Sequence, residues 1–155
     1  MPAGDLLVAD YQLELNGYLA GAGCDWDNTE VGWSDPTGGE VVSDEVPRAF
    51  AAGVAIGFDT SGPIVFTASL WTPRCYDEGE AWELVEELRE AWAPSGRTDV
   101  ELHLQLPGLG HRWLVGRSRG VKPTTDRIRQ GVAFALATFI GSDGVLHAEG
   151  EGGSA

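Results

Sequence analysis

Three histidines, two cysteines and a large excess of carboxylates are the side chains of this chain that could do chemistry. His103, His111 and His147 fall into neither an HExxH pattern nor an i, i+4 pair, so their spacing offers no metal site. His103 occupies a polar position in the alternating run Val100-Glu101-Leu102-His103-Leu104-Gln105-Leu106, which predicts a plain exposed residue on a strand. Cys24 and Cys75 have the spacing of neither a zinc knuckle nor a redox pair, and are expected as free thiols, buried or half-buried. Asp25-Trp26-Asp27-Asn28-Thr29-Glu30 is similar to the start of a calcium loop. Its sixth position is Glu30 where such a loop needs glycine, and its twelfth is Pro36 where it needs Glu. Gly108-Leu109-Gly110 lies in a predicted hairpin and opens no helix, so it is no dinucleotide fingerprint. Neither a GxSxG elbow nor a P-loop lysine is present. With 24 acids, a close carboxylate pair arises by chance and does not identify a glycosidase. These residues call for no cofactor and no metal, and they read as a non-enzyme.

The elements that would position such groups are clearest between residues 64 and 120. Ile64-Val65-Phe66-Thr67-Ala68-Ser69-Leu70-Trp71 reads as a strand. A helix is expected over 78–93, with Asp77 as its cap, Glu80 completing a capping box and Pro94 stopping it. Ala81, Leu84, Val85, Leu88, Ala91 and Trp92 form its apolar stripe, with Trp82 also expected in the core, while acids at 78, 80, 83, 86, 87 and 90 fill the other face. The alternating run 100–106 then turns at Pro107-Gly108-Leu109-Gly110 into a second strand over 112–116. One helix among strands, with no reaction centre, points to a structural building block.

Upstream, residues 10–19 read as a strand turning at Asn16-Gly17, with Tyr11, Leu13 and Leu15 on one face and Gln12 and Glu14 on the other. A short strand over 29–33 follows. Residues 34–60 carry Pro36, Gly38, Gly39, Pro47, Gly53 and Gly57 with small apolar islands, too long for an ordinary loop of about 4–6 residues. This predicts a segment that is either mobile or an extended arm that orders against a neighbouring subunit. Downstream, 121–129 reads as a basic connector and 131–140 as a final strand, apolar on both faces and therefore covered on both. The Gly/Ser/Glu-rich end, 148–155, is expected as a flexible tail.

At 155 residues with 43% apolar content, the chain suits one domain with a packed core. No run approaches the roughly 20 apolar residues of a membrane span, which predicts no membrane association. Met1-Pro2-Ala3-Gly4-Asp5 lacks a basic start and apolar stretch, so synthesis and folding in a cytoplasm are expected. The formal charge of −14 opposes stable nucleic-acid binding, which depends on cations displacing counterions from phosphates. Six of the ten cations, Arg112, Arg117, Arg119, Lys122, Arg127 and Arg129, nevertheless fall within eighteen residues, while the first sixty residues hold eleven acids against Arg48 alone. Such a basic run either meets acidic surfaces of other copies or stays solvated.

Read in order, these segments resemble the N-terminal domain of siphophage distal tail proteins. Asp10-Tyr11-Gln12-Leu13-Glu14-Leu15-Asn16-Gly17 is similar to that family's first hairpin. Asp44-Glu45-Val46-Pro47-Arg48, followed by Gly53 and Gly57, is similar to its arm, and Gly62-Pro63-Ile64-Val65-Phe66-Thr67-Ala68-Ser69-Leu70 to its long strand. The helix and the closing run from Leu104-Gln105-Leu106-Pro107-Gly108 through Arg117-Ser118-Arg119 to Gly131-Val132-Ala133-Phe134 continue the likeness, which spans roughly 6–147. The Cys24-Asp25-Trp26-Asp27 insert departs from it.

The resemblance implies a mostly β (α+β) fold, a β-sandwich or split barrel with one flanking helix and an extended arm, as in tail tubes. It implies a ring, expected as a hexamer, at the virion tail tip, joining tail tube protein, tape-measure protein and tail-tip hub protein around the channel for genome exit. Arg112, Arg117, Arg119, Lys122, Arg127, Arg129, Pro47 and Arg48 are then the candidate subunit-interface residues. A related tail-tube or tail-terminator protein fits the same pattern. A carbohydrate-binding or adhesin β-sandwich is the alternative of another class, motivated by Trp26, Trp33 and Trp71 as stacking platforms.

Overall fold

The computed structural model describes residues 4–37, 41–42, 60–94 and 96–148. Among the described residues, half are strand and one α-helix accompanies them, the mostly β architecture expected, with a sheet that almost closes on itself. The first hairpin joins β1 (Gln12–Leu15) to β2 (Tyr18–Gly21). Its turn forms because Asn16 and Gly17 both take positive φ, 53° and 79°, the pair of left-handed residues a type I′ turn requires.

The remaining strands are β3 (Asp27–Trp33), β4 (Val41–Val42), β5 (Thr60–Ser61), β6 (Ile64–Trp71), β7 (Val100–Leu106), β8 (Gly110–Thr124) and β9 (Phe134–Ala148). Seven of them form one antiparallel sheet in the order β2-β1-β7-β8-β9-β6-β3. β4, within the expected arm, and β5, at its end, pair separately. Residues 38–40 and 43–59, including Pro47 and Arg48, and residues 149–155 of the expected tail lie outside the described residues. The two edges of the large sheet meet at one corner, where the Gly21 N–H donates to the Trp26 carbonyl at 2.7 Å.

The helix α1 (Glu78–Ala91) starts where its cap predicts: the Asp77 carboxylate accepts from the Glu80 N–H at 2.8 Å, and the Glu80 carboxylate from the Tyr76 N–H at 3.1 Å. Ala81, Val85, Leu88 and the following Trp92 are buried against the concave side of the sheet, beside Phe66, Leu70 and Phe139. Trp82 is corrected to the surface at 48% exposure, its indole N–H reaching the Glu78 carboxylate at 3.4 Å. One residue beyond Ala81 is about 100° round the helix, and that rotation carries Trp82 off the buried stripe.

Other sequence expectations are revised as well. β8 does not stop at Gly116 but runs to Thr124, taking in part of the expected connector. Beyond Gly116 it pairs with β9 alone, so the missing N–H of Pro123 interrupts no second ladder. β9 likewise continues past Ile140, absorbing Ser142, Asp143 and Gly144 in a bulge between the Gly116–Gly141 and Leu114–Leu146 pairs. There the strands approach so closely that a Cβ on Gly116 would lie 1.8 Å from the Ile140 carbonyl oxygen. Finally, Tyr11, with φ of 62°, is exposed and does not share the buried face of Leu13 and Leu15, while Gln12 and Glu14 on the other face are buried too. The cover is the segment 4–9: Glu14 accepts from the N–H groups of Gly4 (2.9 Å) and Leu6 (3.1 Å), and Gln12 from those of Val8 (2.8 Å) and Ala9 (3.0 Å).

The last strand is covered on one face only. Ala133, Ala135, Ala137 and Phe139 are buried, whereas Leu136 on the other face is 44% exposed. Among the described residues no helix is long and apolar enough to cross a membrane.

Candidate functional site

The outward face of β8, β9 and β6 is where part of the basic run gathers. Strand alternation turns Arg117 and Arg119 outward on either side of the buried Ser118, and Lys122 is exposed after the bulge at Gly120. Across the ladder, Arg117 lies opposite Ile140 and Ile140 opposite Val65; Lys122 lies opposite Leu136 and Leu136 opposite Ser69. Val65 is 54% exposed, so cations border an apolar strip. Arg117 is held in place by Asp99 at 3.2 Å and by the Arg97 carbonyl at 3.0 Å.

The other basic residues are elsewhere. Arg112 is half-buried at the opposite end of β8, its guanidinium donating to the His111 carbonyl at 3.0 Å. Arg127 and Arg129 are exposed at a short 3-10 helix, Ile128–Gln130, which packs by Ile128 into the core next to α1. The contiguous basic run is therefore three separate sites, of which Arg117, Arg119 and Lys122 form the one that shares a surface. Pro47 and Arg48 lie outside the described residues.

The acidic surface points the other way. α1 lies on the concave side of the sheet, and Glu78, Glu83, Glu86, Glu87 and Glu90 occupy its solvent side. Negative charge near that helix already perturbs its neighbours. Tyr18 has its phenol pKa raised, first by burial and then by Glu87 and Asp25. Burial, then Asp27 and Asp25, push the Cys24 thiol up against the opposing pull of Arg74; burial does the same to Cys75. Both cysteines are free and half-buried, as expected, and their environments disfavour a nucleophilic thiolate.

The three histidines converge, which local spacing did not announce. His103, on β7, stands directly opposite Trp113 on β8, and Trp113 opposite His147 on β9. Their rings stack with centroids 5.8 Å and 5.9 Å apart. His103 Nδ1 lies 2.7 Å from His111 Nε2, and His103 Nε2 lies 3.0 Å from a Glu101 oxygen. His147 Nε2 lies 2.7 Å from Asp143. The expectation of an exposed His103 is wrong: it is 5% exposed because the segment 4–9 crosses it. The usable signal was the turn at 107–110, whose register places 103 opposite 113 and 105 opposite 111, making His103 and His111 diagonal neighbours. Two nitrogens bound to one zinc at about 2.0–2.1 Å each would be spread wider than this 2.7 Å contact, which is a direct hydrogen bond. Among the described residues no group of three or more His, Cys, Asp or Glu is arranged to hold a metal ion.

The tryptophans divide as well. Trp26 is fully buried, which removes it as a sugar platform, and its N–H donates to the Leu84 carbonyl at 3.1 Å. Trp33 packs edge-on between Tyr11 and Phe66, with its N–H on Asn28. Trp71 alone of the three turns outward, stacked on Phe134 beside the bulged part of β3.

Compared with known proteins, the chain matches no family model and no curated sequence.

Proposed function

We propose that this chain is a non-enzymatic structural protein of a phage tail tip, which assembles with copies of itself into a ring at the distal end of the tail. The observation that carries the reading is the placement of opposite charge on opposite sides of one subunit. Arg117, Arg119 and Lys122 border an apolar strip on the outward sheet face, while the acids of α1 face away from it. Two copies can satisfy both surfaces only head to tail, and a repeated head-to-tail contact closes into a ring or runs on as a filament. The order of the segments that resemble distal tail proteins favours the ring, expected as a hexamer in the virion.

In that role the tail tube protein, the tape-measure protein and the tail-tip hub protein are the neighbours, and the net charge of −14 keeps exiting DNA from adhering to the channel. Tail-tube and tail-terminator proteins are the nearest variants of the same reading. The carbohydrate-binding alternative keeps a single supporting feature, the outward Trp71–Phe134 stack. Sedimentation velocity with negative-stain electron microscopy tests the proposal: closed rings with a central channel are expected, alone or with tail partners. A chain that stays monomeric with every tail partner refutes it.

A further inference from the structure

We propose that the outward cavity beside β3 receives an arginine side chain of a partner protein, a site on the single chain that does not rest on ring assembly. The cavity, about 440 Å³, is lined by Trp71 and Phe134 on one side and by residues 28–31 of β3 on the other. Alternation buries Leu70 and Ala135 and turns Trp71 and Phe134 outward, directly opposite each other across β6 and β9. Their rings lie nearly parallel, 15° apart with centroids at 6.3 Å. The other wall exists because β3 bows away from β6. Between the Asn28–Leu70 and Trp33–Ala68 pairs, residues 29–32 face Ser69 alone.

The polar groups of the lining select the occupant. The Thr29 hydroxyl is bonded to that of Ser69 at 2.8 Å. The Asn28 side chain donates to the Tyr11 carbonyl at 3.0 Å and accepts from the Trp33 indole at 2.8 Å. Glu30 is the one charged side chain of the lining, exposed, and among the described residues nothing engages its carboxylate. Asp27, opposite Trp71 in the ladder, sets a second carboxylate beside the rings, one oxygen accepting the Asn28 N–H at 2.7 Å. Lys122, opposite Leu136 one row farther along, opposes them. A sugar needs several free hydrogen-bonding groups around an aromatic face, and the lining side chains leave one. A guanidinium needs less: its plane lies on the rings while its fork donates to a single carboxylate. Lysine fits less well, because its ammonium is compact and strongly hydrated and has no plane to lay on a ring. The net charge of −14 draws basic partners toward the chain.

A short acetylated and amidated peptide with one arginine between glycines, titrated into the full chain at constant ionic strength and followed by NMR, tests this. The Trp71 indole N–H and the backbone amides of Glu30 and Val31 should shift and saturate. The same peptide with citrulline, which keeps the shape of arginine and loses its charge, should bind several-fold more weakly. Glu30→Gln changes an exposed, unengaged side chain and should weaken the arginine peptide by up to about fivefold with the fold intact. Trp71→Leu should abolish the Glu30 and Val31 shifts; if that variant does not fold, the Glu30 variant and the citrulline peptide decide alone. Shifts confined to the amides of α1 would mean that the arginine meets only the acidic helix, and an equal response to arginine and citrulline would mean that charge plays no part. Either result overturns the site. A methyl glycoside that saturates the same signals more tightly than the arginine peptide also overturns it, in favour of a sugar platform.

Discussion

The indole N–H of Trp26 donates to the backbone carbonyl of Leu84 at 3.1 Å, tying the corner where the sheet nearly closes to the middle of α1. Trp26 sits one residue before β3, and its own carbonyl takes the Gly21 N–H across that corner. One residue thus links β2, β3 and α1, by its carbonyl, its place in the chain and its indole. Trp26→Phe should lose about 0.5–1.5 kcal/mol for the hydrogen bond, with a packing loss added, whereas Trp26→Ala should lose about 3–5 kcal/mol. Urea unfolding followed by far-ultraviolet dichroism separates the two.

The helix orientation makes a paired prediction. Leu88 is fully buried and Leu88→Ala should cost about 2–5 kcal/mol. Trp82→Ala and Glu83→Gln alter exposed side chains and should stay within about 0.5 kcal/mol. A destabilising Trp82 change together with a silent Leu88 change would mean that the helix is rotated.

What the sequence disclosed and what it withheld divide along one physical line. The Asp77 cap, the Asn16-Gly17 turn and the period of β6 are local signals, and each element formed where they stood. The extension of β8 through Lys122-Pro123 and of β9 through Gly141-Ser142-Asp143-Gly144 ran against turn-like composition, because strand continuation is decided by the partner strand. Burial of His103 was illegible for a related reason, because the covering segment is remote from it in sequence; Glu14 lies close to that segment in the chain, but no local signal announced that the segment folds back over it. The basic run looked like one site because its residues lie close together in the chain. Alternation along β8 and the departure into the 3-10 helix dispersed them.

Alkaline pH should destabilise the fold. Cys24, Cys75 and Tyr18 all have pKa values raised by burial and nearby carboxylates. Each stays protonated in the folded state over a range where the unfolded chain has released its proton. Stability therefore is full below the unfolded values, about 8.5 for Cys and 10 for Tyr, and falls as pH rises through and above them. Tyr18→Phe should flatten the fall above about pH 10 and leave the cysteine part in place. Arg74 opposes the shift on Cys24, so Arg74→Gln should slow alkylation of Cys24 at a given pH, and faster alkylation would contradict the electrostatic account.

The strand junction at Gly116 has no room for any side chain. A methyl there meets the Ile140 carbonyl at 1.8 Å, and the obstacle is backbone in the neighbouring strand, which cannot swing aside as a side-chain tip would. Gly116→Ala should cost about 3 kcal/mol or more. Gly17→Ala, with no atom within 4 Å of the new Cβ, meets only the backbone cost of its φ of 79°, about 1–2 kcal/mol. Thermal melts of the two variants should rank them in that order, and equal losses would show that the β8–β9 register shift is misplaced.

Assembly supplies the last prediction, and the placement of the cations makes it sharper than their number would. Arg117, Arg119 and Lys122 face outward together, whereas Arg127 and Arg129 sit by the 3-10 helix next to α1. If the outward sheet face receives the acidic helix of a neighbouring copy, changing the first three to Gln should leave the monomer folded and shift sedimentation toward monomer. Changing Arg127 and Arg129 to Gln should disturb assembly much less. Each exposed pair contributes only about 0–1 kcal/mol, but closure repeats the contact at every interface, so three weak pairs per junction can decide the oligomer. Salt should act on the parent as the triple change does, because the Debye length shrinks from about 10 Å at 0.1 M to about 3 Å at 1 M. Adding Glu83→Gln and Glu87→Gln to the parent should give the same dissociation from the other side of the contact. Sedimentation profiles that ignore both the arginine and the glutamate changes would remove the head-to-tail pairing of sheet and helix, and with it the charge argument for a ring.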